Sequence, residues 1–445
     1  MKRYLIVAML LASMTAFAAG GREQKNTNEV TNITWWHSNS GILGEATADL
    51  VDTFNNTVGK EKRIHVDAVY QGKASDVLTK AKAIWQGNDL EDLPDLVQFD
   101  AQAVLDIRDN KALVPMELLA KENGYDLSQI VSSARLSQTY KGQMIGMPFN
   151  ASTILLYYNK SAFDEVGITE APKTLDELAE DSKRLLKRDS SGNVTRYGYA
   201  GVPTTYELCA WLGQQDGLSL IVDQNNGHDG IPTKVLFDQN GTMVNFLTKW
   251  QALHDTGALD NATSGVTGEF ASGKTAMMAQ STSALTTMME MTKGKFELGV
   301  ANLPMVDEKA TGGVNIGGGA LYALDNKSGH QDAAFTFVAF AVSMEQQLAW
   351  HIATGYFPVN EGTYQMEEFK KHCEEHPLFS VAIDQMRESN PLLQGIWVPS
   401  SYEIYYTFQK GIVDMLDSAA SPEETTKKLA KTINGYFENY RNTQD

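Results

Sequence analysis

The sequence predicts an α/β protein of two lobes with a ligand cleft between them. Two observations carry that prediction. Strand-like runs alternate with helix-period runs along the first hundred residues, and a second strand-bearing region begins near Asn150. The chain has 445 residues, enough for two domains with sizeable cores.

The elements follow in order. Ile33-Thr34-Trp35-Trp36 is a β-branched and aromatic run and reads as the first strand. Leu43, Ala46, Leu50, Val51 and Phe54 recur at helical spacing. Residues 64–70 alternate as a strand, Val77, Leu78, Ala81 and Ile84 mark a helix, and Leu96-Val97-Gln98-Phe99 is a third strand. Strands joined by helices predict a largely parallel sheet. In the second region Ile154 to Tyr158 reads as a buried strand. An amphipathic helix follows over 175–186, with Thr174 as its N-cap after Pro172. Residues 275–278 form a short strand, while 298–303 and 319–324 read as strands returning to the first lobe. The rest, from about Gln331, is mostly helical. The expected division is a first lobe of residues 33–149 and 299–355 and a second of 150–298 and 356–445. Two lobes joined by several crossings enclose a cleft, a preferred place for ligands.

The start reads as an export signal over residues 1–18. Lys2 and Arg3 precede an apolar run over 4–11, and Ala16-Phe17-Ala18 fits the small-x-small cleavage rule. That run is too short to span a bilayer. Ala18-Ala19-Gly20 resembles a lipobox, but Gly21 stands where the lipidated cysteine belongs. Residues 19–32 read as a flexible leader. A formal net charge of −18 argues against nucleic-acid binding, which needs cations to displace counterions. Cys209 and Cys373 are the two cysteines, and two isolated thiols read as unpaired.

Two motifs suggest other chemistry. Residues 268–275, GEFASGKT, fit the phosphate-loop pattern, which needs a strand before it and a helix after. Here a polar stretch precedes it and a strand-like run follows. His372-Cys373-Glu374-Glu375-His376 fits the H-x-x-E-H arrangement of some zinc hydrolases. Its charged flanks and Pro377 read as a solvated helix end. Binding chemistry remains: Trp36, Tyr70, Tyr356, Trp397, Tyr402 and Tyr405 offer rings to stack on apolar ligand faces.

Several stretches together resemble the extracellular solute-binding proteins of ABC importers, the family that includes the maltose-binding protein. They include Trp36-His37-Ser38, Pro148-Phe149-Asn150-Ala151-Ser152-Thr153, Leu156 to Phe163, Pro172 to Leu178, Asn225 to Gly230, Ile316 to Leu321 and Thr354-Gly355-Tyr356-Phe357-Pro358. The similarity is greatest to members that bind glycerol-phosphate compounds, and it spans nearly the whole chain after the leader. It implies a maltose-binding-protein-like, two-lobed periplasmic-binding-protein fold with the ligand in the interlobe cleft. It also implies an extracytoplasmic monomer serving permease subunits, with no cofactor and no chemical step.

Carried residue by residue, the resemblance puts Asp100 where relatives hold ligand hydroxyls on a carboxylate. Ser152 and Ser281 match ligand-contacting serines, Gly318 a glycine whose N–H faces the ligand, and Tyr356 a tyrosine whose hydroxyl reaches it. Tyr206 falls near a pocket tryptophan. Tyr405 stands where relatives have a phosphate-pairing arginine, and Lys73 is the candidate to compensate. Losing a bidentate guanidinium disfavours a dianionic monoester. The expected ligand is therefore a glycerophosphodiester ahead of glycerol-3-phosphate, with an oligosaccharide stacked on Trp397 or Tyr405 as the alternative.

Overall fold

The computed structural model describes residues 29–100, 103–107 and 112–443. The export signal and residues 19–28 of the leader lie outside the described residues.

Thr31–His37 pairs in parallel with Ile64–Tyr70 on one side and with Leu96–Asp100 on the other. Helices Ile42–Asn56 and Ala74–Gly87 make the crossovers that parallel pairing requires. Gly317–Leu324 then joins antiparallel to Leu96–Asp100, and both Leu113–Val114 and Met147–Ser152 pair antiparallel with it. The sheet is therefore mixed rather than largely parallel. Along Gly317–Leu324 side chains alternate: Leu321 and Ala323 enter the cluster of Trp35, Phe149 and Phe337, while Ala320, Tyr322 and Leu324 enter that of Val77 and Phe99. Helices thus cover both faces.

The second sheet runs Leu259–Asp260, Val194–Ala200, Thr275–Ser281, Ile154–Asn159, Leu298–Asn302. Here too both faces are buried. Leu156 and Met277 meet Trp211, Phe246 and Trp250 on one side, and Leu155, Tyr157 and Met278 meet Phe270 on the other. Helix Leu175–Leu185 begins where expected, with the Thr174 hydroxyl accepting from the Glu177 N–H at 3.2 Å.

Two expectations change. Leu298–Asn302 does not return to the first lobe; it pairs with Ile154–Asn159 in the second sheet, and the return comes at Gly317. The lobe exchange expected at 355/356 is also later, because Tyr364 and Phe369 still pack in the first-lobe cluster. Two of the longer strands had no reading in the sequence. Met147–Ser152 carries Pro148, which lacks a ladder donor and suits a strand with one partner. Val194–Ala200 holds Arg196, buried and paired with Glu165 at 2.8 Å.

The crossings between the sheets converge. Met147–Ser152 ends in the first sheet and Ile154–Asn159 begins in the second, so Thr153 alone spans them. Its carbonyl accepts from Thr282 N–H at 2.9 Å, and its hydroxyl meets the Asn315 carbonyl on the second crossing at 3.4 Å. Gln385, on the third crossing, donates to the Thr153 hydroxyl at 3.3 Å and to the Ile154 carbonyl at 2.8 Å.

Candidate ligand-binding site

Sheet geometry brings the polar groups together. Leu96–Asp100 delivers Asp100 at its carboxyl end, where crevices in α/β sheets bind ligands. Its neighbour Gly319 pairs with it, and Gly317 pairs in turn with Ser152. From the second sheet, Ser281 ends Thr275–Ser281 opposite Ile154. These strand ends face a cavity of about 470 Å³ whose lining includes Asp100, Ser152, Ser281, Gly318, Tyr206 and Tyr356. Residues of both sheets thus share one cleft.

Each group is held in place. Tyr206 lies in the first turn of helix Thr205–Gly213, whose N-cap Thr204 forms a reciprocal box with Glu207. The Tyr206 hydroxyl donates to the Asp100 carboxylate. Burial raises the Asp100 pKa, and that hydrogen bond only partly opposes the shift. Tyr206 itself is pushed well above the usual phenol range, first by burial and then by the Asp100 charge. Tyr356 bonds to Ser283 and Asn150, and burial lifts its pKa to about 12. The Tyr356 carbonyl accepts from His351 Nδ1 at 2.7 Å, which fixes the backbone behind the ring. Ser281 accepts from the Ser283 N–H at 3.2 Å.

Four of the expected residues lie elsewhere. Trp397 is buried and stacks with His228 at 4.1 Å and Tyr140 at 6.2 Å between ring centroids. Tyr405 lines a separate small cavity with Trp397 and Cys209, which Tyr206 also borders. Trp36 packs half-buried against the cluster of Val77 and Phe99. Lys73 is exposed, and its backbone N–H donates to Asp76 at the start of helix Ala74–Gly87.

Other lining residues carried no signal. Thr263, Ser264 and Thr267 form a hydroxyl-bearing wall, joined by Gln280, Gln409 and the buried Glu207. Residues 260–267 are polar and aperiodic, and nothing in their spacing points to ligand contact. Burial raises the Glu207 pKa, with Thr204 opposing the shift. No Lys, Arg or His stands among the described residues lining this cavity.

The competing motifs resolve structurally. Val266–Ala271 is a helix and Thr275–Ser281 a strand, the reverse of the strand–loop–helix order that cradles phosphate. His372 sits on helix Glu367–Glu375 and His376 caps it. Their rings are 4.8 Å apart and pack on Phe379, and neither lines the cavity. No cluster of three His, Cys, Asp or Glu side chains suited to a metal occurs among the described residues. Cys209 and Cys373 are both free thiols.

Comparison with known proteins places this architecture. The sn-glycerol-3-phosphate-binding periplasmic protein of Yersinia pestis bv. Antiqua is 27% identical over 398 residues, covering 87% of this chain and 86% of that one. Its counterpart in Shigella flexneri is 29% identical, covering 85% of each chain. Among solved structures, UgpB from Mycobacterium tuberculosis in complex with glycerophosphocholine superposes with a TM-score of 0.75 at 20% identity, covering 92% of this chain and 99% of its own. The cyclic α-maltosyl-1,6-maltose binding protein of Arthrobacter globiformis gives 0.76 at 21% identity, covering 92% of this chain and 100% of its own. A family model for bacterial extracellular solute-binding proteins matches residues 49–376, well over half of the sequence. The chain belongs to that family of bacterial extracellular solute-binding proteins.

Proposed function

We propose that the chain is the substrate-binding component of an ABC importer, acting as a monomer outside the cytoplasmic membrane. Its cargo is a polyhydroxylated organic solute with no net negative charge. One observation carries the ligand class: the described lining of the cavity holds the carboxylates Asp100 and Glu207 and no cationic side chain. Asp100 accepts ligand hydroxyls, and the surrounding serine, threonine and tyrosine hydroxyls complete the set. A dianionic monoester entering this cavity leaves its charges unpaired, which is costly in a closed cleft.

Two kinds of solute share this chemistry. A neutral oligosaccharide is one, in keeping with the structural likeness to a maltosyl-maltose-binding protein. A zwitterionic glycerophosphodiester is the other, in keeping with the likeness to UgpB crystallised with glycerophosphocholine. The reading assigns no chemical step to the chain.

Calorimetric titration tests it with a maltodextrin, glycerophosphocholine and glycerol-3-phosphate in parallel. The maltodextrin or the diester should bind and the monoester should bind more weakly. Tightest binding of the monoester overturns the assignment.

A further inference from the structure

Asp100 and Tyr206 belong to opposite lobes. Asp100 ends Leu96–Asp100 in the first sheet. Tyr206 sits on helix Thr205–Gly213, whose Leu208, Trp211 and Leu212 pack in the core of the second lobe. The phenol hydroxyl donates to the carboxylate, so one charge-assisted hydrogen bond spans the cleft. A second phenol crosses the other way. Tyr356, packed on the first-lobe core, bonds to Ser283, just past the second-sheet strand Thr275–Ser281.

The Tyr206 ring also rests on the first lobe. A Cβ added at Gly317 would lie 3.3 Å from its Cδ1 and its Cε1, so glycine there lets the ring approach strand Gly317–Leu324 closely. A carboxylate offers about four lone-pair directions on two oxygens. The Tyr206 bond takes one and fixes the rotation of the group, which leaves the others for solute hydroxyls.

We propose that Tyr206 is a positioning residue that acts through Asp100. Its hydroxyl latches the second lobe onto the carboxylate that holds the solute, and completes that acceptor when the cleft is closed. The role rests on the reading of the cavity as the solute site.

Other groups titrate nearby. Tyr322, Tyr356 and Tyr405 all feel the Asp100 charge, and burial raises each of them, so they stay neutral through the acid range. Tyr402 stands by Tyr206 and Tyr405. Glu207, raised by burial, lines the same cavity. His37, on the strand paired with Leu96–Asp100, and His351, behind Tyr356, are both lowered to about 4 by burial. Parent and variants share all of these, so comparing them isolates Tyr206.

The test has two arms. Carbon NMR follows the Asp100 carboxyl of the solute-free full chain through a pH titration. Tyr206→Phe should move its midpoint to higher pH, because the lost hydrogen bond favoured the charged form. Gly317→Ala, which presses the ring away, should move it the same way by less. Calorimetry then titrates maltotriose and glycerophosphocholine. Tyr206→Phe should weaken the solute that binds about tenfold at pH 7 and shift the acid limb of its affinity upward. In an Asp100→Asn background the same substitution should cost far less and shift no acid limb. A carboxyl midpoint that does not move in Tyr206→Phe overturns the proposal whatever the cavity binds, as does weaker binding with an unmoved acid limb. A moved midpoint with neither solute bound upholds the latch and refutes the reading of the cavity.

Discussion

Asp100 concentrates the tension between stability and binding in one carboxyl group. Burial raises its pKa above the ordinary 3.8. The unfolded chain therefore loses this proton at a lower pH than the folded chain does. Between those two values the folded state holds more protons, so stability falls as pH rises, and the deficit persists above the window. Asp100→Asn should raise the thermal midpoint of the ligand-free protein at pH 7 and leave it unchanged at about pH 3, where both states are protonated. The same substitution to alanine should weaken ligand binding by about 1.5–3 kcal/mol, read by calorimetry. A lower midpoint for Asp100→Asn at pH 7 contradicts the desolvation account. Tyr405 tests the charge argument from the other side. Tyr405→Arg adds a guanidinium beside Tyr206 and should move preference toward glycerol-3-phosphate; an unaltered ranking of ligands refutes that role. At this scale the sequence led to the cavity lining where the family resemblance supplied the position. Asp100, Ser152, Ser281, Gly318, Tyr206 and Tyr356 share one cavity lining. It was not readable for Trp36 and Trp397. An aromatic residue near a strand end looks the same whether its faces meet a ligand or, as for Trp397, His228 and Tyr140.

Element-level legibility followed periodicity. Helices such as Ile42–Asn56 and strands such as Ile64–Tyr70 show their spacing openly. Met147–Ser152 escaped because Pro148 argues against a strand, and Leu298–Asn302 was assigned to the wrong sheet because its local pattern says nothing about its partner. Backbone conformation was equally hidden. Gly318 has φ +111°, and a Cβ there would lie 1.6 Å from the Asn150 carbonyl oxygen. Gly318→Ala should cost about 3 kcal/mol or more, because strain and a backbone clash act together. Urea denaturation measures it, and a midpoint within error of the parent would show that the strand relaxes freely. Nearby, Gln224, Asn225 and Asn226 all have positive φ, and at Gly227, which follows, an added Cβ would lie 1.9 Å from the Trp397 carbonyl oxygen. That strained turn carries His228 across to the first lobe, where its Nδ1 meets the Thr139 carbonyl at 3.2 Å.

For the molecule as a whole, a cavity walled by both sheets implies closure around the solute. Small-angle scattering should show a smaller radius of gyration at saturating ligand than without it. An unchanged radius alongside proven binding argues for a rigid cleft. The two-lobed plan was legible from strand–helix alternation, while the exchange points were not, since they depend on which sheet accepts a strand. Those exchange points meet at Thr153, where hydrogen bonds tie all three crossings together. Crossings that meet at one residue put the pivot of any lobe movement there. A distance between points far from that pivot then changes most when the cleft fills. Fluorophores on Lys60 of the first lobe and Lys427 of the second, both exposed, would convert solute concentration directly into an optical ratio.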